Sequence, residues 1–224
     1  GDSIGDSIMD INNYIDHTLL KSDASREEIE DICDEAMAYK FKAVCVNSSW
    51  TSLVFEKLKY VDVEVCTVVG FPLGAMSKEA KIFEAKDAIK NGASEIDMVL
   101  NIGKLKDKEY EYVEDEIRKV KEVIGKDTIL KVIIETSLLD DEEKKIACEI
   151  IENAGADFVK TSTGFSTSGA KVEDIKLIRE VVKDRLKIKA SGGIKTYEEA
   201  VEMINAGANR IGTSNGVKII KNNK

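Results

Sequence analysis

The amino-acid sequence predicts an α/β fold, a TIM (β/α)8 barrel. Two observations carry this. Eight short β-branched runs alternate with longer amphipathic stretches, and one glycine joint between helix and strand recurs three times. No hairpin signal interrupts the alternation, which points to a parallel sheet.

The runs are residues 14–18, 42–47, 63–70, 95–101, 129–135, 157–163, 187–192 and 209–214. Several are apolar on both faces, as in Val65-Cys-Thr-Val-Val69 and Lys131-Val-Ile-Ile134. Parallel strands covered on both sides have this pattern. A helix is predicted over 25–40, where Ile29, Ile32, Ala36 and Met37 recur at helical spacing behind a Ser25/Glu28 capping box. Val172, Ile175, Ile178 and Val182 predict another over 171–186. Residues 78–90, 109–124, 140–153 and 196–206 are further helix candidates. Eight strands with intervening helices fit a compact barrel. The alternative, a doubly wound sheet, would carry an early GxGxxG, which is absent.

The joint reads Asn91-Gly92-Ala93, Ala154-Gly155-Ala156 and Ala206-Gly207-Ala208, each glycine a candidate left-handed helix cap before a strand. Five residues beyond each glycine stand Asp97, Lys160 and Gly212. If equivalent joints set equivalent heights, a carboxylate, an amine and a bare backbone converge inside the barrel.

Composition sets the bounds. A chain of 224 residues with one proline, Pro72, and no low-complexity linker fits one domain. Residues 1–8 repeat Gly-Asp-Ser-Ile before Met9, and are expected to be a cloning remnant or a disordered tail outside a 9–224 barrel domain. They lack the basic and apolar regions of a signal peptide. No apolar run nears the roughly 20 residues of a membrane helix. A cytoplasmic protein is the expectation. The net charge of −9 argues against gripping nucleic acid or an anionic membrane, but not against a small anion in a locally positive pocket. The four cysteines, Cys33, Cys45, Cys66 and Cys148, form no metal-ligand pattern and read as buried thiols, with Cys45 placed to face a site. A single histidine, His17, weakens Ser-His-Asp, Cys-His and zinc chemistries and reads as structural. Trp50 and Phe71 read as pocket wall or core.

Barrel active sites sit at the C-terminal strand ends, so charged residues inside apolar strands matter most. These are Asp16, Asp97, Lys131, Glu135, Lys160 and Lys189. Lys160 and Lys189 fall on the sixth and seventh strands. A lysine is nucleophilic only as the free amine, and a neighbouring cation favours that form. Asp97 could move protons. Such a trio suits Schiff-base carbon–carbon chemistry. The competing account is that the lysines merely pair with strand-end carboxylates such as Asp16 and Glu135. The loops 190–194 and 212–216, after strands seven and eight, suit a phosphate cradle of backbone N–H groups, with Gly164 next door. The run Gly164-Phe-Ser-Thr-Ser-Gly169-Ala-Lys171 is not a P-loop, because Ala170 separates glycine from lysine.

At these residues the chain resembles the deoxyribose-phosphate aldolase family. The similarity runs from Tyr14-Ile-Asp-His-Thr-Leu-Leu-Lys21 through Ala43-Val-Cys-Val-Asn47, Cys66-Thr-Val-Val-Gly-Phe-Pro-Leu-Gly74 and Glu95-Ile-Asp-Met-Val99. It continues through Val159-Lys-Thr-Ser-Thr-Gly-Phe165 and Lys187-Ile-Lys-Ala-Ser-Gly-Gly-Ile194 to Arg210-Ile-Gly-Thr-Ser214. The resemblance implies a cofactor-free class I aldolase on a TIM barrel that reversibly cleaves 2-deoxy-D-ribose 5-phosphate to D-glyceraldehyde 3-phosphate and acetaldehyde. By motif, Lys160 resembles the Schiff-base lysine, Lys189 the lysine that lowers its pKa, and Asp97 the proton-relay aspartate. Gly164, Gly192, Gly193, Gly212 and Ser214 match the phosphate-binding segments, and Asp16 and Thr163 match polar pocket positions. Asn215 departs from the pattern, standing where a small residue, usually serine, is expected, and that puts the strength of the phosphate site in question. The partner implied is a small phosphosugar, with no metal, nucleic acid or membrane, and homo-oligomerisation left open. Two rivals stay open: another Schiff-base sugar-phosphate aldolase, transaldolase-like, and a non-catalytic phosphosugar binder.

Overall fold

Eight parallel strands close on themselves in chain order in a computed structural model of the protein, which describes residues 10–222. The strands are β1 (Ile15–Leu19), β2 (Ala43–Val46), β3 (Glu64–Val69), β4 (Glu95–Val99), β5 (Ile129–Ile133), β6 (Phe158–Lys160), β7 (Lys187–Ser191) and β8 (Arg210–Thr213). Closure is made by β8 on β1, with Asp16 opposite Gly212. The expectation for residues 1–8 lies outside the described residues.

Parallel neighbours need crossover connections, and helices supply them. They are α1 (Arg26–Tyr39), α2 (Thr51–Leu58), α3 (Lys78–Lys90), α4 (Ile102–Lys106), α5 (Tyr110–Ile124), α6 (Asp141–Asn153), α7 (Val172–Val182), α8 (Tyr197–Ala206) and α9 (Gly216–Lys221). The Ser25/Glu28 capping box starts α1, and Asp140/Glu143 and Thr196/Glu199 start α6 and α8 in the same way. The stretch 171–186 ends as a helix at Val182, because Lys183 takes a positive φ and its N–H closes the last turn on Arg179. The sequence reading passes over α2, α4 and α9. These are eight, five and six residues long, too short for a strong periodic signal.

All three joint glycines have positive φ: 108° at Gly92, 88° at Gly155 and 130° at Gly207. The strand period of two then sorts each strand into two faces. Ile96 and Met98, Leu130 and Val132, Val159, Ile188, Ala190 and Ile211 pack outward against the helices in the main apolar core. Their neighbours point inward. Around β2 and β3 the interior is apolar, with Ala43, Cys45, Cys66 and Val68 in one cluster. From β4 round to β1 it is charged. All four cysteines are buried free thiols.

Candidate active site

Asp97 lies midway along β4 and is fully buried. Its Oδ2 accepts from Lys160 Nζ at 2.9 Å and from Lys189 Nζ at 2.8 Å. Its Oδ1 lies 3.0 Å from Lys131 Nζ and accepts from Cys66 Sγ at 3.2 Å. Lys189 also contacts Asp16 Oδ2 at 2.7 Å. Deeper in the barrel, Lys131 bonds Glu95 at 2.6 Å, while Arg210 bonds Asp16 at 2.7 Å and Glu95 through both nitrogens at 2.9 and 2.7 Å. Buried charges persist only when paired in this way.

The electrostatics follow from that packing. Burial opposes ionisation of Asp97, but the ammonium groups of Lys131, Lys160 and Lys189 outweigh it and hold the carboxyl well below the usual carboxylate range. Asp16 is held low against burial by Lys131, Lys189 and Arg210, and Glu95 by Lys131 and Arg210. Burial works against the charge of Lys189, yet Asp16 and Asp97 raise it above its ordinary value. Lys189 is therefore a fixed cation beside Lys160.

The joint-derived trio does converge. Asp97 meets Lys160 directly, and a Cβ on Gly212 would lie 2.8 Å from Lys189 Cε, so the missing side chain is the space Lys189 occupies. The three do not share one ladder row. The register sets Lys160 opposite Ile133, and Ile133 opposite Val99, two residues past Asp97. The stagger of tilted barrel strands accounts for the offset.

Above this cluster opens a cavity of about 310 Å³. Lys160, Thr163, Gly164, Gly192, Gly193, Gly212, Ser214 and Asn215 line it. Lys189, Asp97 and Asp16 lie beneath it. Asp16 thus differs from its expected place as a pocket-lining group, because Lys131, Lys189 and Arg210 engage its carboxylate inside the barrel. Of the pairs that the competing account expected, Lys189 does contact Asp16, but Lys160 pairs with Asp97, and the Glu135 carboxylate serves Thr163 rather than a lysine. A larger hollow of about 1130 Å³ at the opposite barrel end is bordered by Asn12, Tyr39, Lys42 and Arg210, and Lys160 does not line it. The smaller cavity is the one that Lys160 borders.

His17 points outward. Its Nε2 lies 2.7 Å from Glu35 Oε1 and its ring packs tilted on Phe41, with centroids 5.0 Å apart. Trp50 packs at the margin of the core, and Phe71 meets Phe165 edge to face. Sequence reasoning missed Glu95 and Arg210 in the charge cluster and Lys21, Ser191 and Lys195 around the cavity. Glu95 and Arg210 each stand two residues before a residue it did select, Asp97 and Gly212. The strand period alone would have put them on the same inward face.

Fold and site together define a parallel (β/α)8 barrel with a buried lysine–carboxylate cluster beneath a small cavity. The family profile described as DeoC/LacD family aldolase matches residues 11–222, and the chain belongs to that family. A deoxyribose-phosphate aldolase of Finegoldia magna is 62% identical over 213 residues, covering 95% of this chain and 100% of the relative. One from Clostridium tetani is 58% identical over 217 residues, covering 96% and 100%. The solved structure of a deoxyribose phosphate aldolase from Aeropyrum pernix, described as tetrameric, superposes with a TM-score of 0.86 at 32% identity, covering 94% of this chain and 89% of that one.

Proposed function

We propose that the protein is a class I aldolase that reversibly cleaves 2-deoxy-D-ribose 5-phosphate to D-glyceraldehyde 3-phosphate and acetaldehyde, in deoxyribose and deoxyribonucleotide breakdown, with Lys160 as the Schiff-base residue. The observation that carries the assignment of Lys160 is that it and Lys189 share one oxygen of Asp97, and only Lys160 borders the cavity. A charge count supports it. Asp16, Glu95 and Asp97 balance Lys131, Lys189 and Arg210, so the cluster is neutral when Lys160 is a free amine.

The free amine of Lys160 adds to the C1 aldehyde of the open-chain sugar. The carbinolamine loses water to give a protonated imine, which serves as electron sink. The bond that breaks is C2–C3, since acetaldehyde carries C1 and C2. The C3 hydroxyl loses its proton, its electrons form the new aldehyde of glyceraldehyde 3-phosphate, and the C2–C3 pair moves into an enamine on Lys160. Protonation at C2 and hydrolysis of the imine release acetaldehyde and restore the amine. The Asp97 carboxylate can accept a proton and the Lys189 ammonium can donate one, and both lie against Lys160 as the relay. Every electron pair closes within imine and substrate, so the sequence of steps needs no cofactor. Gly164, Gly192, Gly193, Gly212, Ser214 and Asn215 take the phosphate end, with Lys21 and Lys195 at the rim adding positive charge on an otherwise acidic protein. A cytoplasmic location and a homo-oligomeric state belong to the same reading. The tetramer of the Aeropyrum pernix relative supports the second.

Borohydride trapping with acetaldehyde or deoxyribose 5-phosphate, followed by peptide mass mapping, is the test. A reduced two-carbon adduct on Lys160, absent in Lys160→Leu, is expected. An adduct on Lys189 would reverse the two lysine roles. No adduct from folded protein would sink the aldolase reading in favour of a phosphosugar binder.

A further inference from the structure

Among the described residues four that carry a Cβ have positive φ: Lys40, Lys108, Glu135 and Lys183. The three lysines are exposed and lie just past helix ends. Glu135 is different. It is 3% exposed, follows β5 at the catalytic end of the barrel, and has φ 55° and ψ 69°. A side-chain-bearing residue adopts that conformation at a cost, so something in the surroundings holds it there.

What holds it is Thr163. Glu135 Oε1 accepts from the Thr163 backbone N–H at 3.0 Å, and Oε2 accepts from the Thr163 hydroxyl at 2.5 Å. The Thr163 hydroxyl oxygen in turn accepts from Phe165 N–H at 3.0 Å. Both carboxylate oxygens therefore serve one residue of the turn 163–165. That turn forms a wall of the cavity through Thr163, Gly164 and Phe165. Glu135 does not line the cavity, so it acts through the turn and not on substrate.

We propose that Glu135 is a positioning residue that fixes the 163–165 turn for the phosphate end of the substrate and leaves imine formation at Lys160 untouched. The proposal rests on the aldolase reading above. The separation has a structural basis. Lys160 and Thr161 are tied to β5 and its extension by backbone bonds, Ile134 N–H to Lys160 O at 3.0 Å and Thr136 N–H to Thr161 O at 2.9 Å. Neither bond involves the Glu135 side chain. The turn beyond them has no such ladder, and depends on the carboxylate at Thr163 and on Phe71 packing edge to face on Phe165.

Glu135→Gln is the first variant. Its amide can still accept from Thr163 N–H, but it presents N–H to a hydroxyl that now has no acceptor. Glu135→Gly is the second, since glycine adopts the positive φ freely and so separates the side chain's role from the backbone's. Steady-state cleavage of deoxyribose 5-phosphate and of unphosphorylated deoxyribose, and borohydride trapping of acetaldehyde, are measured on both variants. The expected result is a KM for the phosphorylated sugar raised about tenfold or more, with deoxyribose kinetics and the trapping rate within about twofold of the parent. The double variant Glu135→Gln with Thr163→Val should be no worse than Thr163→Val alone. An unchanged KM in a folded variant that still traps acetaldehyde overturns the proposal alone. So does an equal loss in all three assays, the mark of a general structural role. Failure of the parent protein to trap acetaldehyde on any lysine overturns the aldolase reading, and this proposal with it.

Discussion

Lys160 and Lys189 donate to the same atom, Oδ2 of Asp97, at 2.9 and 2.8 Å. They are register partners on adjacent strands, so their side chains leave the sheet side by side and share this acceptor, while Lys189 also reaches Asp16. Asp97→Asn tests what that acceptor does. The amide is nearly isosteric, but neutralises neither ammonium and leaves Lys131 with one carboxylate fewer. Stability should fall by about 3–5 kcal/mol, the cost of uncompensated buried charge. The kcat should fall about a hundred- to ten-thousandfold, the range for losing a positioned proton-transfer group. Urea midpoints and initial rates on one preparation read both. A variant of normal stability and normal kcat would remove Asp97 from the relay.

Gly212 asks the same question from the other wall. Its φ is not positive, so alanine is acceptable to the backbone there. The new Cβ would lie 2.8 Å from Lys189 Cε and 3.1 Å from Ser191 Cβ. Lys189 is buried and ion-paired, so Gly212→Ala should still fold but lose about 1–3 kcal/mol, the cost of overpacking a filled interior. What it displaces is the Lys189 ammonium, now 2.7 Å from Asp16 and 2.8 Å from Asp97. A fall in kcat of about tenfold to a hundredfold is expected, the scale for sub-ångström to ångström displacement of a reacting group. Full activity would mean that the position of Lys189 is not critical.

The same ion pairs set the acid limit of the fold. Asp16, Glu95 and Asp97 are all held below their ordinary values in the folded protein, each against burial and by the cations around it. In the unfolded chain they protonate near about pH 4. A depressed folded value means that the stabilisation is fully present above about pH 4 and drains as pH falls through the lower folded values. Chemical denaturation at pH 7, 5, 4 and 3 should show these groups contributing no slope between 7 and 5, and a steep loss below about 4. Glu95→Gln, remote from the cavity, should shrink that acid step. An unaltered step would assign the acid lability elsewhere.

How much of this is legible in the sequence depends on which force sets each feature. The eight strands are, because β-branched runs between polar stretches have few alternatives; seven fall inside their predicted runs, and β1 extends one residue past its run, to Leu19. Their C-terminal ends are not. Residues 163–165 leave the ladder to form the cavity wall, which depends on Glu135, distant in sequence. Lys160, Lys189 and Asp97 stand out as charges in apolar strands. Glu95 and Arg210 do not, since each sits at the start of its strand, where charge is ordinary. Asp16 shows the reverse limit. Its chemistry marks it as important, but depth in the barrel, and so whether it meets the cavity or the cluster, is a property of strand stagger.

His17, the one histidine of the chain, gives the narrowest test. Its ring is buried, Nε2 lies against Glu35 and Nδ1 has no hydrogen-bond partner. A Cβ on Gly216 would come within 3.0 Å of that Nδ1. Burial pushes the imidazole below its ordinary value of 6.5, with Glu35 opposing in part. The unfolded chain therefore takes up a proton near about pH 6.5 while the folded protein still refuses it. Folding stability must then decline as pH drops from about 6.5 through the lower folded value, by at most about 1.4 kcal/mol per pH unit for one group. Glu116, raised by burial despite Lys81, acts in the opposite sense over part of this range, so the comparison has to be with a variant. His17→Gln keeps a polar neighbour for Glu35 and removes the titration. The expected outcome is a difference between parent and variant that grows from pH 7.5 to pH 5 in favour of the variant. A difference independent of pH would mean that His17 takes up its proton at the same pH in the folded protein as in the unfolded chain, and that its role is packing alone.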